Sequence, residues 1–524
     1  MRLDELPLLT VLIVLPLVGA AVVWALPRAA RARARTVAVT VSLLELVVAV
    51  AAAGAFDTGD AGTHQLLETH PWIPAIGASY AVGVDGVALL LVLLAVVLTP
   101  LVLLAADRHQ GGTGDRLQHY LALVLVLEAF MVAVFAARDV FLFYVLFEAM
   151  LVPVYFLIGA FGGPLGRWAA VKFLVFSLAG GLIMLVAVIA LYLQGPGGPQ
   201  GFLTDNLTGL DLPVVGERLM FLAFFLAFAI KAPMWPVHTW LPDAAQNATA
   251  GTSTLLVGVL DKVGTFGMLT LCLPLFPDAS RWAAPVIIAL AVVSVLYGAL
   301  LAIGQQDLMR LIAYTSISHF GFIVLGIFAF TSVGVQGSAL YMVNHGLSTG
   351  ALFLVAGFLV ARRGSQRIAD FGGLQKVTPV LAGTFLVAGL SALSLPGLST
   401  FVSEFLVLVG TFARSRPAAV VAVVGVVLAA LYVLITYQRL FTGPVRDELA
   451  TTRDLSVREV WVVAPLIALM VVFGFYPAPM IDLVREPSLV TLDQVGVPDV
   501  PGGTVVDRAA DGGTDDGDDE GSTR

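Results

Sequence analysis

The stretch FAIKAPMWPVHTWLPD, residues 228–243, interrupts an apolar helix within a very apolar chain. It places the ionisable Lys231 in hydrocarbon-like surroundings and follows it with Pro233 and Pro236. Each proline lacks a backbone N–H and clashes with the carbonyl four residues earlier, so a regular helix kinks or breaks there. His238 adds a second titratable side chain. The stretch therefore predicts a broken helix that carries charge where charge is costly.

The composition indicates an integral membrane protein. Of 524 residues, 59% are hydrophobic and only 12% are charged, and the mean hydropathy is +0.95. Soluble domains contain about 25% charged residues. The single cysteine, Cys272, excludes internal disulfides, Cys-rich zinc sites and iron–sulfur clusters on this chain. No apolar segment carries a ligand set for a metal, so we expect no metal site.

Hydropathy predicts about fourteen membrane-spanning helices, since each needs about 20 apolar residues. The loops between them are short, which leaves no room for a soluble catalytic domain. The first loop carries Arg28, Arg31, Arg33 and Arg35, whereas the loop at 57–81 has no Lys or Arg. The positive-inside rule then places the first loop in the cytoplasm and both termini outside.

Lysine usage gives the sharpest chemical clue. Only four of the 28 basic residues are lysines, and three of them, Lys172, Lys231 and Lys262, fall in predicted spans. Desolvated lysine can lose its proton, whereas arginine effectively cannot. A chain that uses arginine in its loops and lysine inside its helices is therefore expected to have titratable sites in the membrane.

The ionisable residues in predicted spans extend this pattern over many helices. Each mid-membrane charge costs about 2.5–3.5 kcal/mol on insertion scales, and such residues usually face the bundle interior and mark ion or proton paths. Static pairing between helices, for instance of Glu148 with Lys231, is the structural alternative. The set comprises Glu128, Glu148, Lys172, Lys231, Asp261, Lys262, His319, His345 and Glu404.

Spacing also indicates a weak internal repeat. In each half of the chain, a titratable residue precedes a proline-broken helix by a similar number of residues. The break lies at Pro233 in the first half and at Pro396-Gly397 in the second. Two structural repeats, each with a discontinuous helix and polar residues near the midplane, produce such spacing.

Several segments resemble the antiporter-like membrane subunits of respiratory NADH-quinone oxidoreductase (complex I), and the one around Glu148 is most similar to subunit M. Subunit N and the related subunits of multi-chain sodium/proton antiporters are close alternatives. The resemblance covers most of the chain. It is carried by FYVLFEAMLVPVYFLIG (143–159), KAPMWPVHTWLPDA (231–244), GVLDKVGTFGM (258–268), AYTSISHFGF (313–322), NHGLSTGALFLVAG (344–357) and LPGLSTFVSEFLVL (395–408).

The resemblance implies an all-α, polytopic membrane fold of about fourteen helices, in which two inverted five-helix repeats each contain a broken helix. The expected units are helices 1–3 (1–118), a first antiporter-like repeat (119–275), a second repeat (276–441), helix 14 (442–480) and an acidic disordered tail (481–524).

The resemblance also implies roles in proton transfer. Glu148 is the expected charge partner of Lys231, and Lys262 the expected central proton carrier. His319 and His345 are expected to continue the path to Glu404, the terminal carrier toward the outer side. We expect supporting roles for Lys172, Glu128, Asp261 and His238, and helix breaks at Pro233, Pro236, Pro396 and Gly397.

The chain departs from the family pattern in two places. Residues 246–249 read Gln-Asn-Ala-Thr where the family commonly has Glu or Ala-Pro, and Asp261 stands where an apolar residue is common. An extra acid beside the central lysine is expected to raise the proton affinity of that lysine or to pair elsewhere.

The expected function is proton translocation through buried Glu, Lys and His, driven by redox chemistry in partner subunits. NADH, FMN, iron–sulfur clusters and quinone are expected on those partners, with no cofactor on this chain. Expected partners are neighbouring antiporter-like subunits and the lipid of a bacterial cell membrane, without nucleic acid. The alternatives are a sodium/proton antiporter subunit without a redox partner, a structural spacer and a solute permease.

Overall fold

The computed structural model describes residues 6–107 and 114–499, which form a bundle of helices with one small sheet. In chain order, and apart from short 3₁₀ and π-helical turns, the helices are α1 (Leu8–Ala25), α2 (Ala34–Ala55), α3 (Gly86–Ala105), α4 (Asp115–Ala136), α5 (Val140–Ala149), α6 (Leu151–Phe161), α7 (Gly166–Gln194), α8 (Thr204–Leu207), α9 (Val214–Lys231), α10 (Trp240–Asn247), α11 (Ala250–Leu255), α12 (Lys262–Gly267), α13 (Leu273–Leu275), α14 (Pro277–Gly304), α15 (Leu308–Phe328), α16 (Ser332–Arg363), α17 (Pro379–Ala392), α18 (Ser399–Arg414), α19 (Arg416–Phe441), α20 (Val457–Phe475) and α21 (Ala478–Val495).

Within the described ranges, twelve helical segments are long and apolar enough to cross a membrane, with α5–α6 and α11–α13 each counted as one. Two further regions are interrupted, namely α9 with α10 and α17 with α18. The predicted helical, multi-span architecture is confirmed. The count of fourteen and the two inverted repeats stay predictions.

The helices differ in how far they are enclosed. In the most apolar 18-residue stretch of each helix, 100% of the residues are buried for α15 and 94% for α16. In the segment that contains α2, only 28% are buried. Large apolar side chains such as Trp24, Val47 and Phe475 are exposed on the outer helices α1, α2 and α20. These surfaces suit contact with lipid or with neighbouring membrane subunits. The polar residues of α15 and α16 therefore lie in the interior of the bundle.

A two-stranded antiparallel hairpin is the exception to the all-helical expectation. β1 (Gln65–Ile73) pairs with β2 (Ala78–Val84) within the loop between α2 and α3. Gly77 closes the turn at a φ of 77°, a conformation that glycine adopts at little cost. The hairpin is tied to the bundle because Ser79 N–H donates to Asp139 Oδ2 at 2.8 Å.

The predicted tail at 481–524 is wrong for its first part. Residues through Val495 form α21, which packs against α3 and α16 and fully buries Val484 and Val495. The acidic run that suggested a tail begins only after residue 500, and residues 500–524 lie outside the described residues.

The predicted division of the chain into units is matched at some boundaries only. The boundaries at 275/276 and 441/442 fall where α13 and α19 end, whereas 118/119 falls inside α4 and 480/481 falls inside α21. The division into repeats stays a prediction.

Candidate functional site

The first interrupted helix is built around Lys231. α9 ends at this residue and α10 begins at Trp240, with Pro233 and Pro236 between them. Interior backbone groups freed by such a break need partners, because the membrane offers none. Met234 N–H donates to the carbonyl of Ala229 at 3.0 Å, and Trp240 Nε1 donates to that of Ile230 at 2.8 Å. These hydrogen bonds give partners to backbone carbonyls at the break beside the lysine.

Lys231 is fully buried, and among the described residues its Nζ has no hydrogen-bond partner. The nitrogen lies 4.8 Å from the ring centroid of Phe147 and 5.6 Å from that of Phe173, positions at which aromatic faces stabilise a cation. Glu148, on α5, interacts with Lys231 electrostatically but without a direct ion pair. The expected charge partners are therefore neighbours that do not touch in this structure.

The carboxyl group of Glu148 occupies a space that a glycine leaves open. Its Oε1 has no hydrogen-bond partner in the part of the chain that the structure describes. A Cβ added to Gly181 of α7 would lie 1.6 Å from that oxygen. Any larger residue at position 181 would displace the carboxyl group.

Lys262 begins a line of contacts into the second half of the chain. Its buried Nζ donates to the carbonyl of Val257 and lies 2.8 Å from Nδ1 of His345. The rings of His345 and His319 are adjacent, with centroids 5.2 Å apart. His319 Nδ1 lies 2.8 Å from the hydroxyl of Tyr341. Four buried side chains thus connect α12, α16 and α15.

The line ends at Glu404 of α18. The Tyr341 hydroxyl donates to Glu404 Oε2 at 2.7 Å, and the Ser394 hydroxyl donates to the same oxygen. Glu404 is 4% exposed. The structure therefore brings Lys262, His345, His319 and Glu404 together in that order, and their roles in proton transfer stay predictions.

The sequence interpretation missed the residues that complete this line. Tyr341 joins His319 to Glu404, Ser394 bonds Glu404, and the Tyr432 hydroxyl lies 3.5 Å from His319 Nε2. The position of Tyr341 in the sequence could have indicated its role, because it precedes His345 by four residues and so shares its helix face. Tyrosine is too common in apolar helices to stand out without that register.

The second interrupted helix supplies Ser394. α17 ends at Ala392 and α18 begins at Ser399, with Pro396 between them. Ser394 and Gly397 have φ angles of 59° and 93°. A positive φ at a non-glycine residue is uncommon. The unusual backbone places the Ser394 hydroxyl against the buried acid.

The helix that carries Lys262 is wound more loosely on both sides of it. Leu256–Leu260 and Met268–Cys272 are π-helical, and Asp261 N–H donates to the carbonyl of Leu256 at 3.0 Å. Such turns are rare and frequent at functional sites. The next helical turn reaches Gly264, which contacts the chain that follows Lys231.

Lys172 lies apart from this line. Its Nζ is 2.6 Å from Asp243 Oδ2, and Arg310 pairs with the other oxygen of that carboxylate. Gln246 donates to Asp307 nearby at 3.1 Å. Burial raises the pKa of Asp307, while hydrogen bonds from Arg310 N–H and Gln246 oppose that rise. Lys172 therefore belongs to a partly exposed charge cluster, and its supporting role in proton transfer stays a prediction.

Three supporting residues are buried in separate places. His238 lies beside the ring of Tyr297, with centroids 5.1 Å apart. Glu128 accepts a hydrogen bond from Ser42 at 3.3 Å and meets a second buried acid, Glu45. Asp261 has no hydrogen-bond partner for either carboxyl oxygen within the described residues.

Chemically, the arrangement suits proton transfer. Lys262 is hydrogen-bonded to His345, and His319 is linked through Tyr341 to Glu404, whereas the two histidines are in ring contact only. Buried rows of titratable groups of this kind mark proton relays in membranes. Among residues 6–107 and 114–499, no group of three or more His, Cys, Asp or Glu side chains is arranged to hold a metal ion.

The fold and this buried line define an antiporter-like membrane subunit. A family model described as NADH:quinone oxidoreductase/Mrp antiporter, TM, matches residues 137–429. Proteins named NADH-quinone oxidoreductase subunit M from two strains of Mycobacterium tuberculosis are each 50% identical over 94% of this chain and 95% of their own. The protein of that name from Rhodobacter capsulatus is 39% identical over 84% of this chain and 86% of its own. The chain belongs to the family of NADH-quinone oxidoreductase subunit M.

Solved structures agree with this assignment. A chain of respiratory complex I from Thermus thermophilus with bound NADH is 31% identical, with a TM-score of 0.85 over 93% of this chain and all of that chain. A chain of the Mrp complex from Dietzia sp. DQ12-45-1b gives a TM-score of 0.81 at 22% identity over 94% of this chain and all of that chain. The second likeness shows a shared fold only.

Proposed function

We propose that this chain is the proton-translocating membrane subunit M of a respiratory NADH:quinone oxidoreductase in a bacterial cell membrane. The observation that carries the proposal is the buried line of hydrogen bonds and one ring contact from Lys262 through His345, His319 and Tyr341 to Glu404. The 50% identity to proteins named as subunit M supports the same function.

In the proposed mechanism, Lys231 acts on Lys262 through charge. A proton leaves Lys262 Nζ for His345 Nδ1, passes by way of His319 and the Tyr341 hydroxyl, and reaches Glu404. Two unit charges about 4 Å apart interact by about 4 kcal/mol at an effective dielectric of 20. A shift of the Lys231 ammonium relative to Glu148 is therefore enough to change whether Lys262 keeps its proton.

The energy comes from partner subunits in this proposal. Moving one proton against the membrane potential needs about 2.3 kcal/mol per 100 mV. Redox cofactors are proposed to reside on the partners, because a chain with a single, buried cysteine lacks the thiolates that iron–sulfur clusters require. Neighbouring membrane subunits would contact the exposed apolar helices.

The test uses the whole complex in inverted membrane vesicles with NADH-driven acidification as the readout. Lys231→Ala is expected to abolish pumping because the modulating charge is lost. Lys262→Arg is expected to abolish it as well, because arginine effectively keeps its proton. Lys376→Arg, at the loop lysine, is the matched control and is expected to pump like the wild type. Normal pumping by both membrane-lysine variants would contradict the proposal.

Assembly is measured on the same membranes by the amount of intact complex on a native gel. Co-purification of redox subunits with the chain separates this function from that of a sodium/proton antiporter subunit. An antiporter subunit would purify without NADH-oxidising partners.

A further inference from the structure

Asp261 is the buried charge that the proposed path leaves unused. It is fully buried, and within the described residues neither carboxyl oxygen has a hydrogen-bond partner. Burying an unpaired charge is expensive, so such a group either meets an opposite charge or stays neutral. The packing around Asp261 indicates which charged group is its partner.

Helix register turns Asp261 toward the end of α9. Gly264 follows it by three residues and therefore shares its helix face. A Cβ added to Gly264 would lie 2.5 Å from the carbonyl oxygen of Phe228 and 2.6 Å from the amide of Ala232. These two positions flank Lys231. The face that carries Asp261 thus packs against the backbone from which Lys231 projects, and the two side chains interact electrostatically.

Lys262 occupies a different side of the same helix. Consecutive helical residues point about 100° apart. Lys262 Nζ is engaged by His345 and by the carbonyl of Val257. Asp261 lies next to it in sequence and interacts with it electrostatically, more strongly than with Lys231, but does not hydrogen-bond it. Of the two lysines, Lys231 is the one whose ammonium group has no hydrogen-bond partner in the described structure.

The charges balance when Asp261 is included. Glu148 and Asp261 provide two carboxyl groups around Lys231 and Lys262. When both lysines are protonated, two buried ammonium groups without Asp261 would share one carboxylate, which leaves an uncompensated charge in the membrane interior.

We propose that Asp261 is a second counter-ion of Lys231, so that the Lys231 ammonium group is shared between Glu148 on one side and Asp261 on the other. This inference rests on the proposed function. A shift of the Lys231 ammonium from Glu148 toward Asp261 brings positive charge toward Lys262. It also pairs Asp261 with Lys231, so that the Asp261 carboxylate no longer offsets the charge of Lys262. The proton displaced from Lys262 Nζ goes to His345 Nδ1, while Lys231 keeps its own. Asp261 is thus a positioning residue for that transfer.

The test compares Asp261→Asn in the wild-type background and in a Glu148→Gln background, using the intact complex in inverted vesicles. Glu148→Gln alone is expected to keep residual pumping, because Asp261 still serves Lys231. Asp261→Asn is expected to lower pumping by about threefold in the wild-type background and by a clearly larger factor in the Glu148→Gln background, as coupled residues do. Asp261→Glu is expected to restore pumping, because it restores the charge.

Asp211→Asn, at an exposed loop acid, is the matched control and is expected to pump normally. Asp261→Leu replaces Asp261→Asn if the latter does not assemble, since the family commonly has an apolar residue there. An equal fractional loss in both backgrounds, or no rescue by Asp261→Glu, would overturn the assignment. Failure of the proposed function is distinguishable, because Lys231→Ala would then pump normally as well.

Discussion

At the scale of single residues, the two central lysines differ in what surrounds them. Lys262 is held by His345 and a backbone carbonyl, whereas Lys231 has aromatic rings at close range and its carboxyl neighbours at a distance. A hydrogen-bonded amine is placed to transfer a proton, and an amine without such a bond is placed to act through its charge. In the proposed mechanism, this difference separates the carrier, Lys262, from the group that modulates it, Lys231.

Gly181 gives a sharp test of the position of Glu148. We expect Gly181→Ala to lower NADH-driven pumping by about tenfold or more, because small displacements of a reacting group cost rate steeply. The added methyl group would occupy the place of Glu148 Oε1. Gly383→Ala is the control, since no atom lies within 4 Å of a Cβ built there on α17. Wild-type pumping in Gly181→Ala vesicles would show that the observed position of Glu148 is not needed.

At the scale of elements, helix ends explain one departure from the family pattern. Thr249 belongs to residues 246–249, which differ from the family pattern, and it caps α11 by accepting a hydrogen bond from Thr252 N–H at 3.2 Å. Its hydroxyl also lies 3.2 Å from that of Tyr120 on α4. The side chain thus fixes the start of the helix that leads into Lys262.

Loss of this cap should lower stability. We expect Thr249→Ala to destabilise the protein by about 0.5–2 kcal/mol, the usual value of an N-cap. Thr249→Ser keeps the hydroxyl and should behave like the wild type. The measurement is the thermal unfolding midpoint of the purified complex in detergent, and equal midpoints for the alanine and serine variants would show that the cap contributes nothing.

The elements also show what the sequence could and could not predict. The helix breaks followed from Pro233, Pro236 and Pro396, because proline acts on its own backbone. The link through Tyr341 depends on how α15, α16 and α18 pack together, which no local pattern records. The start of α21 was missed because residues 481–495 mix charged and apolar side chains, as a helix lying against a bundle does.

At the scale of the whole molecule, the bundle has an interior rich in titratable groups and an exterior of apolar helices. Orientation in the membrane was predicted from arginine placement alone. The same argument puts the turn Arg28–Arg33 in the cytoplasm and the β-hairpin outside. The structure separates the Arg28–Arg33 turn from the β-hairpin, because the turn precedes α2 and the hairpin lies in the loop that follows it.

Single added cysteines test this orientation. Cys272 is buried, so the native chain should not react with a membrane-impermeant maleimide. Leu67→Cys on the exposed hairpin should be labelled in intact cells, and Ala29→Cys should be labelled only in inverted vesicles. The reverse pattern would show that the termini face the cytoplasm.

The aromatic surroundings of Lys231 have a consequence for speed. A hydrogen bond fixes an ammonium group in one direction and must be broken before the group can move, whereas the face of a ring attracts a cation over a broad range of angles. Phe147 and Phe173 therefore hold the charge in the interior without fixing its orientation. The barrier to its displacement is set by torsions of a flexible side chain, so this step is expected to be fast compared with the turnover of the redox partners.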